Sequence, residues 1–256
     1  MKNKNQEKVN EKLVSIIMPA YNSEEFISES ILSIAKQDYS TWELLIVDDC
    51  SSDNTVDIVK QHALLDSRIK LFKLKENSGA AVARNVAIKE AQGEYFAFLD
   101  SDDCWELGKL TRQIQFMEDN NYHFTCTSYG KVDENNRVME GIKVPKPVND
   151  YNDVLKNSPG TSTVIYNAAH LGKFYSPDIR RRNDFVMWLQ VIKKAKKLYG
   201  IQEKYTSYRV RSDSLSGKKM KLVKYQWKVY RDYEKLPFFK SVVLLLRKTY
   251  DVIFDK

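Results

Sequence analysis

The sequence predicts an α/β fold in which a mostly parallel central sheet carries helices on both faces. In the first half of the 256-residue chain, short apolar segments of strand length alternate with longer segments that have an apolar stripe at helical spacing. This order is typical of parallel strands joined by helical crossovers. The apolar segments are short and uninterrupted, as expected for strands that are buried on both faces of such a sheet.

Four strand–helix pairs are predicted in this half. The first strand, residues 13–19, ends at Pro19. Asn22 or Ser23 can cap the helix that follows, which has its apolar stripe at residues 27–35. The other three pairs, strand before helix, are predicted at residues 42–49 and 51–65, 68–74 and 77–93, and 94–100 and 109–120.

The second half has a looser pattern that predicts a smaller, mixed sheet. Residues 124–130 and 162–167 have strand character, and residues 133–136 are typical of a turn between short strands. A further helix is predicted at residues 181–197. The domain boundaries that we predict are a polar extension at 1–12, a main domain at 13–215 with halves 13–122 and 123–215, and a helical tail at 216–256.

Composition and charge exclude several classes of protein. The three cysteines, Cys50, Cys104 and Cys126, have no metal-ligand spacing, and reduced thiols of a cytoplasmic protein are expected. The first residues lack the apolar core of a signal peptide, and no apolar run approaches the roughly 20 residues that span a bilayer. The net charge of +7 is a property of the tail, because residues 217–256 contain 11 Lys or Arg and 4 Asp or Glu. A main domain without excess positive charge is not expected to bind nucleic acid.

The basic tail contains an amphipathic helix. Its apolar face is predicted to consist of Phe239, Val242, Val243, Leu246, Tyr250 and Ile253. Such a helix fits the surface of a membrane and is too polar to span it. Packing against the main domain or against a second subunit is the alternative, and the oligomeric state stays open.

Carboxylates follow two of the predicted strands. Asp49 ends the strand at 42–49, and Asp100, Asp102 and Asp103 follow the strand at 94–100. Like charges that lie so close repel each other unless water or a cation sits among them. Ligands of parallel α/β sheets bind at the carboxyl ends of the strands, so the placement favours a binding site over a solvated turn.

Five segments occur in the order and approximate spacing of one enzyme family. They are VSIIMPAYN, ELLIVDDCSSDNT, NSGAAVARN, GEYFAFLDSDDCW and RRNDFVMWL. Together they resemble the family 2 glycosyltransferases over roughly residues 13–215. The resemblance implies a GT-A fold, a UDP-sugar donor and transfer of a hexose or N-acetylhexosamine with inversion at the anomeric carbon.

The resemblance also implies a set of nucleotide-sugar contacts. Tyr21 would offer its ring to the nucleobase, and Asp49 would accept a hydrogen bond from uracil N3–H, which cytosine lacks. Gly79 would let the backbone approach the ligand, and a segment around 208–217 would close over the diphosphate. The full predicted set is Pro19, Tyr21, Asn22, Asp49, Asn77, Gly79, Arg84, Asp100, Ser101, Arg209, Arg211 and Ser214.

Metal and base roles follow from the same resemblance. Asp100-Ser101-Asp102 matches the family's DXD motif, so Asp102 and Asp100 are the implied ligands of Mn²⁺ or Mg²⁺. Asp103 is expected to orient its neighbours. Asp184 aligns with the catalytic base, which takes the proton of the acceptor hydroxyl.

Two positions depart from the family pattern. Asn183 stands where an acidic residue usually precedes the base, and Leu107 stands where a proline is usual. Asn183 is therefore the best support for an inactive UDP-binding or scaffold protein of the same fold. The run Arg180–Arg182 is unusual and could meet an anionic acceptor.

The expected acceptor is a glycan on undecaprenyl diphosphate, which places the enzyme at the inner face of a bacterial cytoplasmic membrane. Capsule or O-antigen assembly is the expected process. A nucleotidyltransferase is the nearest rival, but it would need a glycine-rich loop with Arg after the first strand, and PAYNSEEF provides neither. A dinucleotide oxidoreductase would need G-x-G-x-x-G after a strand, which the sequence lacks.

Overall fold

The computed structural model describes residues 11–211 and 219–254. Within these ranges the chain forms one ten-stranded sheet with α-helices packed on both faces. The strands are β1 (Val14–Ala20), β2 (Trp42–Asp48), β3 (Ile69–Lys73), β4 (Tyr95–Phe98), β5 (Cys104–Trp105), β6 (Phe124–Val132), β7 (Val138–Lys143), β8 (Val148–Asn149), β9 (Ile165–Asn167) and β10 (Leu198–Arg209).

Nine α-helices connect or follow these strands in the described part of the chain. They are α1 (Ile27–Ala35), α2 (Thr55–Leu65), α3 (Ala80–Glu90), α4 (Lys109–Asn120), α5 (Tyr151–Lys156), α6 (Ala168–Leu171), α7 (Asn183–Ala195), α8 (Lys219–Lys228) and α9 (Phe238–Phe254). A short 3₁₀ turn covers Thr161–Thr163, and a π-helical turn covers Val229–Tyr233.

The sheet has the order β3-β2-β1-β4-β9-β6-β10-β5. Strands β3, β2, β1 and β4 are parallel, as the sequence predicts. Strand β9 runs antiparallel to both β4 and β6, and β10 runs parallel to β6. The mixed second half is therefore hydrogen-bonded to the parallel half through β9 and continues the same sheet.

Strand β1 shows why the parallel half is buried on both faces. Ile17 belongs to the apolar core on one face, together with residues of α3 and α7. Its neighbours Ile16 and Met18 belong to the core on the other face, together with residues of α1, α2 and α4. Because side chains alternate along a strand, an uninterrupted apolar segment fills both layers at once.

The first helix begins later than its sequence predicts. Helix α1 starts at Ile27, and neither Asn22 nor Ser23 caps it with a side chain, so that expectation is wrong. Ser23 is used elsewhere: its N–H donates to Thr55 Oγ1 at 2.7 Å, and its hydroxyl lies 2.7 Å from the Ser101 hydroxyl. The polar residues after β1 therefore join neighbouring loops at the carboxyl edge of the sheet.

The tail packs partly against the main domain. Val229, Tyr230 and Leu244 are buried in the core that contains α7. Phe239 and Leu246 lie on the opposite side of α9 and are 81% and 66% exposed. One face of α9 is thus covered by the domain, as the packing alternative predicts, and one apolar face is open. The membrane contact stays a prediction. Within the described ranges, no helix combines the length and hydropathy that a bilayer crossing requires.

Candidate active site

The parallel strands β2, β1 and β4 bring the predicted site residues to one edge of the sheet. Asp49 follows β2, Tyr21 follows β1, and Asp100 lies just after β4. The N–H of Asp49 donates to the Ala20 carbonyl oxygen at 2.8 Å, which fixes the end of β2 beside the end of β1. This is the edge where ligands of parallel α/β sheets bind.

The carboxylate of Asp49 holds the loop before α3. Its two oxygens accept the backbone N–H groups of Ser78 and Gly79 at 2.7 and 2.8 Å. Asn77 donates from its side chain to the Asp49 carbonyl oxygen at 3.2 Å. Gly79 has φ = 90°, a backbone conformation that favours glycine. The structure thus gives Asp49 a structural task beside the predicted nucleobase contact, which stays a prediction.

The turn after β1 is tied to the loop after β2. Asn22, with φ = 44°, accepts the Ser52 N–H on its side-chain oxygen at 2.9 Å and donates its own N–H to the Ser51 hydroxyl at 3.0 Å. Pro19 pairs with Val47 within the sheet. Tyr21 is 49% exposed and remains available to a ligand at this edge.

The acidic turn after β4 divides its carboxylates between two tasks. Asp103 is buried and accepts hydrogen bonds from the Ser162 hydroxyl at 2.5 Å and from the Arg209 N–H at 2.9 Å. Asp103 thus ties the acidic turn to the segment before β9 and to β10, and its role in orienting its neighbours stays a prediction. Ser101 is buried against the Ser23 hydroxyl, whereas the side chains of Asp100 and Asp102 are 37% and 26% exposed. The two predicted metal ligands therefore face the solvent side of the turn.

Arg209 holds the acidic turn through hydrogen bonds to its backbone and side chains. Its Nε donates to the Asp102 carbonyl oxygen at 2.9 Å, and its Nη2 pairs with Glu29 at 2.8 Å. Its Nη1 donates to the Asp133 carbonyl oxygen and to the Asn136 side chain. The guanidinium is thus largely occupied by protein partners, and its predicted phosphate contact stays a prediction.

Arg211 lies closer to the open side of the turn. Its Nη1 is 3.8 Å from a carboxylate oxygen of Asp102, and its guanidinium stacks over the Phe26 ring at 5.1 Å. The prediction for Ser214 lies outside the described residues.

A cavity of about 240 Å³ opens beside the acidic turn, between β6, β10 and the loop before β9. Asp100 and Asp184 both line it, although they are 84 positions apart in the sequence. The Thr161 hydroxyl donates to one carboxylate oxygen of Asp184 at 2.9 Å and so orients the side chain. The complete lining is Asp100, Asp103, Tyr129, Ser158–Thr163, Arg182, Asp184, Thr206 and Tyr208.

Asp100 lies within the electrostatic reach of both other predicted acids. Burial in the surrounding protein raises its pKa to about 6, against the opposing effect of Arg84, and the negative charges of Asp102 and Asp184 raise it further. Burial and the charges of Asp102 and Asp100 raise the pKa of Asp103 well above its usual range. The carboxylates of the acidic turn and Asp184 therefore lie close enough to influence one another electrostatically.

Arg84 connects the acidic turn to the start of α7. It is buried, its Nη2 lies 3.5 Å from an Asp100 carboxylate oxygen, and its Nη1 donates to the Asn183 side-chain oxygen at 2.5 Å. Asn183 in turn donates to the Ile179 carbonyl oxygen. The residue that departs from the family pattern is thus part of the support for Arg84.

The donor set fits a divalent cation that is shared with a ligand. No group of three or more His, Cys, Asp or Glu side chains in residues 11–211 and 219–254 is arranged to enclose a metal ion. Mg²⁺ is commonly held by one or two carboxylates while substrate phosphates and water complete its octahedron. Asp100 and Asp102 provide two such carboxylates, and the repulsion among the acids is the kind that a cation relieves.

Sequence reasoning missed the hydroxyl residues before β9. Ser162 donates to Asp103, accepts the Asp100 N–H at 3.2 Å on its hydroxyl, and receives the Trp105 indole N–H on its carbonyl oxygen at 2.7 Å. Thr161 orients Asp184. The segment GTST has no hydropathy pattern and no charge, so only its position before a strand could have indicated a role.

Comparison with known proteins identifies the family. The family model described as "Glycosyl transferase family 2" matches residues 15–175, which is more than half of the chain. The chain belongs to glycosyl transferase family 2. This assignment makes it a glycosyltransferase, and it confirms the resemblance given by the five sequence segments.

Two curated relatives cover almost the whole of this family 2 glycosyltransferase. TuaG of Bacillus subtilis (strain 168), a glycosyltransferase attributed to teichuronic acid biosynthesis, is 42% identical over 90% of this chain and 91% of its own. The Escherichia coli UDP-Glc:alpha-D-GlcNAc-diphosphoundecaprenol beta-1,3-glucosyltransferase WfgD is 41% identical over 91% of both chains. The glycosyltransferase is thus similar to enzymes of bacterial cell-surface polysaccharide synthesis.

A solved structure confirms the GT-A fold. Residues 1–349 of TarS from S. aureus, in complex with UDP-GlcNAc, superpose with a TM-score of 0.72 at 24% identity and cover 94% of this chain and 73% of that one. At this identity the likeness concerns the fold alone. The predicted α/β architecture of the family 2 glycosyltransferase is therefore confirmed.

Proposed function

We propose that this glycosyltransferase moves a hexose or N-acetylhexosamine from a UDP-sugar to a hydroxyl of a glycan on undecaprenyl diphosphate, with inversion and with the help of Mn²⁺ or Mg²⁺. The product would serve a bacterial surface polysaccharide such as capsule or O-antigen. The observation that supports the proposal is the shared cavity of Asp100 and Asp184, because a predicted donor-side acid and the predicted base both line it.

The names of the relatives support the donor and acceptor classes. WfgD is named for transfer from UDP-Glc to a diphosphoundecaprenol-linked GlcNAc. The Escherichia coli glucosyltransferase WfaP has the same named reaction and is 38% identical over 82% of both chains. The match to both extends through the residues that line the cavity, so the same classes of donor and acceptor are proposed here.

Asp184 acts as the base in the proposed reaction. One of its carboxylate oxygens is held by the Thr161 hydroxyl, which leaves the other free to accept the proton of an acceptor hydroxyl in the cavity. The acceptor oxygen forms its bond to the anomeric carbon as the bond from that carbon to the diphosphate oxygen breaks, and the bonding electrons leave with UDP. Attack on the face opposite the diphosphate inverts the configuration.

Asp100 and Asp102 would hold the divalent cation together with the donor's diphosphate. When bound, the cation offsets the negative charge that develops on the departing diphosphate. Arg211 and Arg84 flank these two carboxylates and keep their orientation. The nucleoside would lie at the edge formed by Tyr21, Asp49 and the loop before α3.

The open face of α9 is proposed to rest on the inner surface of the cytoplasmic membrane. Phe239, Val243, Leu246 and Tyr250 follow one another at helical spacing and are all more than 60% exposed. The segment at 217–256 contains 11 Lys or Arg against 4 Asp or Glu, which complements anionic lipid headgroups. Two copies of the chain that met through this face would instead bring two basic segments together, and their like charges repel.

A UDP-release assay tests the proposal. UDP-glucose, UDP-galactose and their N-acetylated forms are offered with a GlcNAc-diphosphate-lipid acceptor, with and without chelator. Turnover with one donor, abolished by chelator and restored by Mn²⁺ or Mg²⁺, is expected. Binding of UDP and Mn²⁺ without transfer or UDP-sugar hydrolysis would contradict the proposal and favour a binding or scaffold protein.

A further inference from the structure

We propose that Arg182 binds the phosphate of the acceptor that adjoins the sugar being extended, and that it thereby selects sugar-diphosphate acceptors over neutral glycans. The inference rests on the proposed function, because it assumes that the acceptor enters the cavity beside Asp184. It concerns a residue to which the family comparison assigns no role.

Arg182 stands out among the residues that line the cavity. Among the described residues that line the cavity, Arg182 is the only Lys or Arg. The other charged residues of this lining are Asp100, Asp103 and Asp184. The Nε of Arg182 is buried and has no hydrogen-bond partner among the described residues. A guanidinium stays protonated in proteins. A buried N–H group that lacks an acceptor lowers the stability of the fold.

The backbone position of Arg182 is one that arginine does not favour. Arg182 is the N-cap residue of α7 with φ = 64°, and its side chain makes no capping hydrogen bond. Glycine or asparagine would adopt this left-handed conformation at lower cost, and Ser, Thr, Asp or Asn would cap the helix better. An arginine also meets the positive end of the helix dipole here. Three local preferences are overridden, which points to a use for the guanidinium itself.

The other arginines near the site are already engaged on the donor side. Arg84, Arg209 and Arg211 form ion pairs with Asp100, Glu29 and Asp102 respectively. Arg182 lies instead beside Asp184, which takes its proton from the acceptor. The anion assigned to Arg182 is the acceptor's, because the donor's diphosphate is already assigned to the cation at Asp100 and Asp102, which Arg84 and Arg211 flank.

The size of the cavity limits where that anion can be. About 240 Å³ is below the roughly 300–1,000 Å³ of pockets that enclose drug-sized ligands, so the cavity suits a single sugar unit. Arg182 and Asp184 are two positions apart at the start of α7. In the proposed pose, the phosphate at Arg182 is one sugar ring away from the hydroxyl at Asp184, as in a monosaccharide linked directly to a lipid diphosphate.

Two acceptors and three variants test this. The full-length enzyme is assayed with GlcNAc-α-diphosphate on an undecyl chain and with undecyl α-GlcNAc, which lacks the diphosphate. Arg182→Gln is expected to raise KM for the diphosphate acceptor by about 10- to 100-fold, the range for a lost charge-assisted hydrogen bond, and to leave KM for the donor and for the neutral acceptor unchanged. Arg182→Lys should recover part of the loss. The matched control is Arg137→Gln, at an exposed arginine that does not line the cavity.

Calorimetric titration of the undecyl diphosphate acceptor into enzyme saturated with UDP separates this inference from the proposed function. Weaker binding to Arg182→Gln but not to Arg137→Gln supports the inference even if the wild type shows no transfer. Absence of transfer would contradict only the proposed reaction. An equal loss for both acceptors, or an unchanged KM and affinity in Arg182→Gln, overturns the inference. Absence of any binding by the wild type overturns it as well, together with the acceptor class.

Discussion

The side-chain oxygen of Asn183 accepts a buried hydrogen bond from Nη1 of Arg84 at 2.5 Å, while Nη2 of the same guanidinium lies 3.5 Å from Asp100. An amide oxygen gives Arg84 an acceptor without adding a further negative charge to a region that already contains Asp100, Asp102 and Asp184. The departure from the family's acidic residue is thus compatible with an intact site, because the neutral side chain still makes the contact.

Asn183→Ala is expected to destabilise the fold. It leaves Nη1 of the buried Arg84 without its acceptor, and an unpaired buried donor costs about 1–3 kcal/mol. Asn183→Asp restores an acceptor and serves as the control, with a smaller loss expected. Urea unfolding of the three proteins measures the difference. If Asn183→Ala were as stable as the wild type, the supporting role of Asn183 would be wrong.

The parallel half of the fold could be predicted because each of its strands is a local signal. The segment VSIIMPA is apolar throughout and becomes β1, with Ile17 on one face and Ile16 on the other. Strand β5 has only Cys104 and Trp105, and it exists through its pairing with β10. Such pairings depend on residues about 100 positions away, which no local pattern records.

The site was predictable where chemistry requires a charge and unpredictable where a neutral contact is enough. Asp100 and Asp184 are recognisable from their motifs, and the structure places both on one cavity. Ser162 and Thr161 orient Asp103 and Asp184 through single hydroxyl groups, and many other small polar residues in the sequence could make such a contact. Glu29 reaches Arg209 across 180 positions, which only folding reveals.

Asp184→Asn is expected to lower turnover by about 10²- to 10⁴-fold, the range for a lost acid–base group, while UDP affinity stays near normal. An amide retains the shape of the side chain but cannot accept the acceptor's proton. UDP release measures the rate, and calorimetry measures UDP binding. Thr161→Val is the graded control, because it removes only the hydroxyl that orients Asp184 and should cost less. Normal turnover in Asp184→Asn would remove the base assignment.

Asp49→Asn is expected to reduce the preference for UDP over CDP. A carboxylate can accept the uracil N3–H, and an amide that turns its NH₂ toward the base can instead donate to cytosine N3. The substitution also weakens the hydrogen bonds to Ser78 and Gly79, which should lower the affinity for both nucleotides alike. The ratio of the two dissociation constants therefore isolates the nucleobase contact. An unchanged ratio with lower affinities would leave Asp49 with its structural task only.

Lys109 makes stability depend on pH. It is fully buried, and burial lowers its pKa from 10.5 to about 7. Between these two values the unfolded chain binds more protons than the folded chain, so the free energy of unfolding rises with pH, by up to about 1.4 kcal/mol per pH unit. Below about pH 7 this contribution no longer changes.

Lys109→Met is the variant that tests this dependence. It should flatten the rise in stability between pH 7 and pH 9, because no buried amine remains to titrate. The same change at the exposed Lys36 is the control and should leave the slope as it is in the wild type. Urea unfolding at several pH values gives the slopes, and parallel curves for the wild type and Lys109→Met would refute the prediction.

The open face of α9 is expected to bind lipid vesicles that contain anionic lipid. Leu246→Glu is expected to reduce co-sedimentation with vesicles that contain anionic lipid, because Leu246 is 66% exposed on the apolar stripe and a carboxylate there is repelled by the headgroups. The matched control is Leu65→Glu on α2, where the leucine is 87% exposed outside the stripe. UDP release from the donor in the presence of a short soluble acceptor should be the same in both variants, since neither residue lines the cavity. Equal vesicle binding by both variants would place the membrane contact elsewhere, and a loss of mass in sedimentation velocity on Leu246→Glu would show that α9 joins two subunits instead.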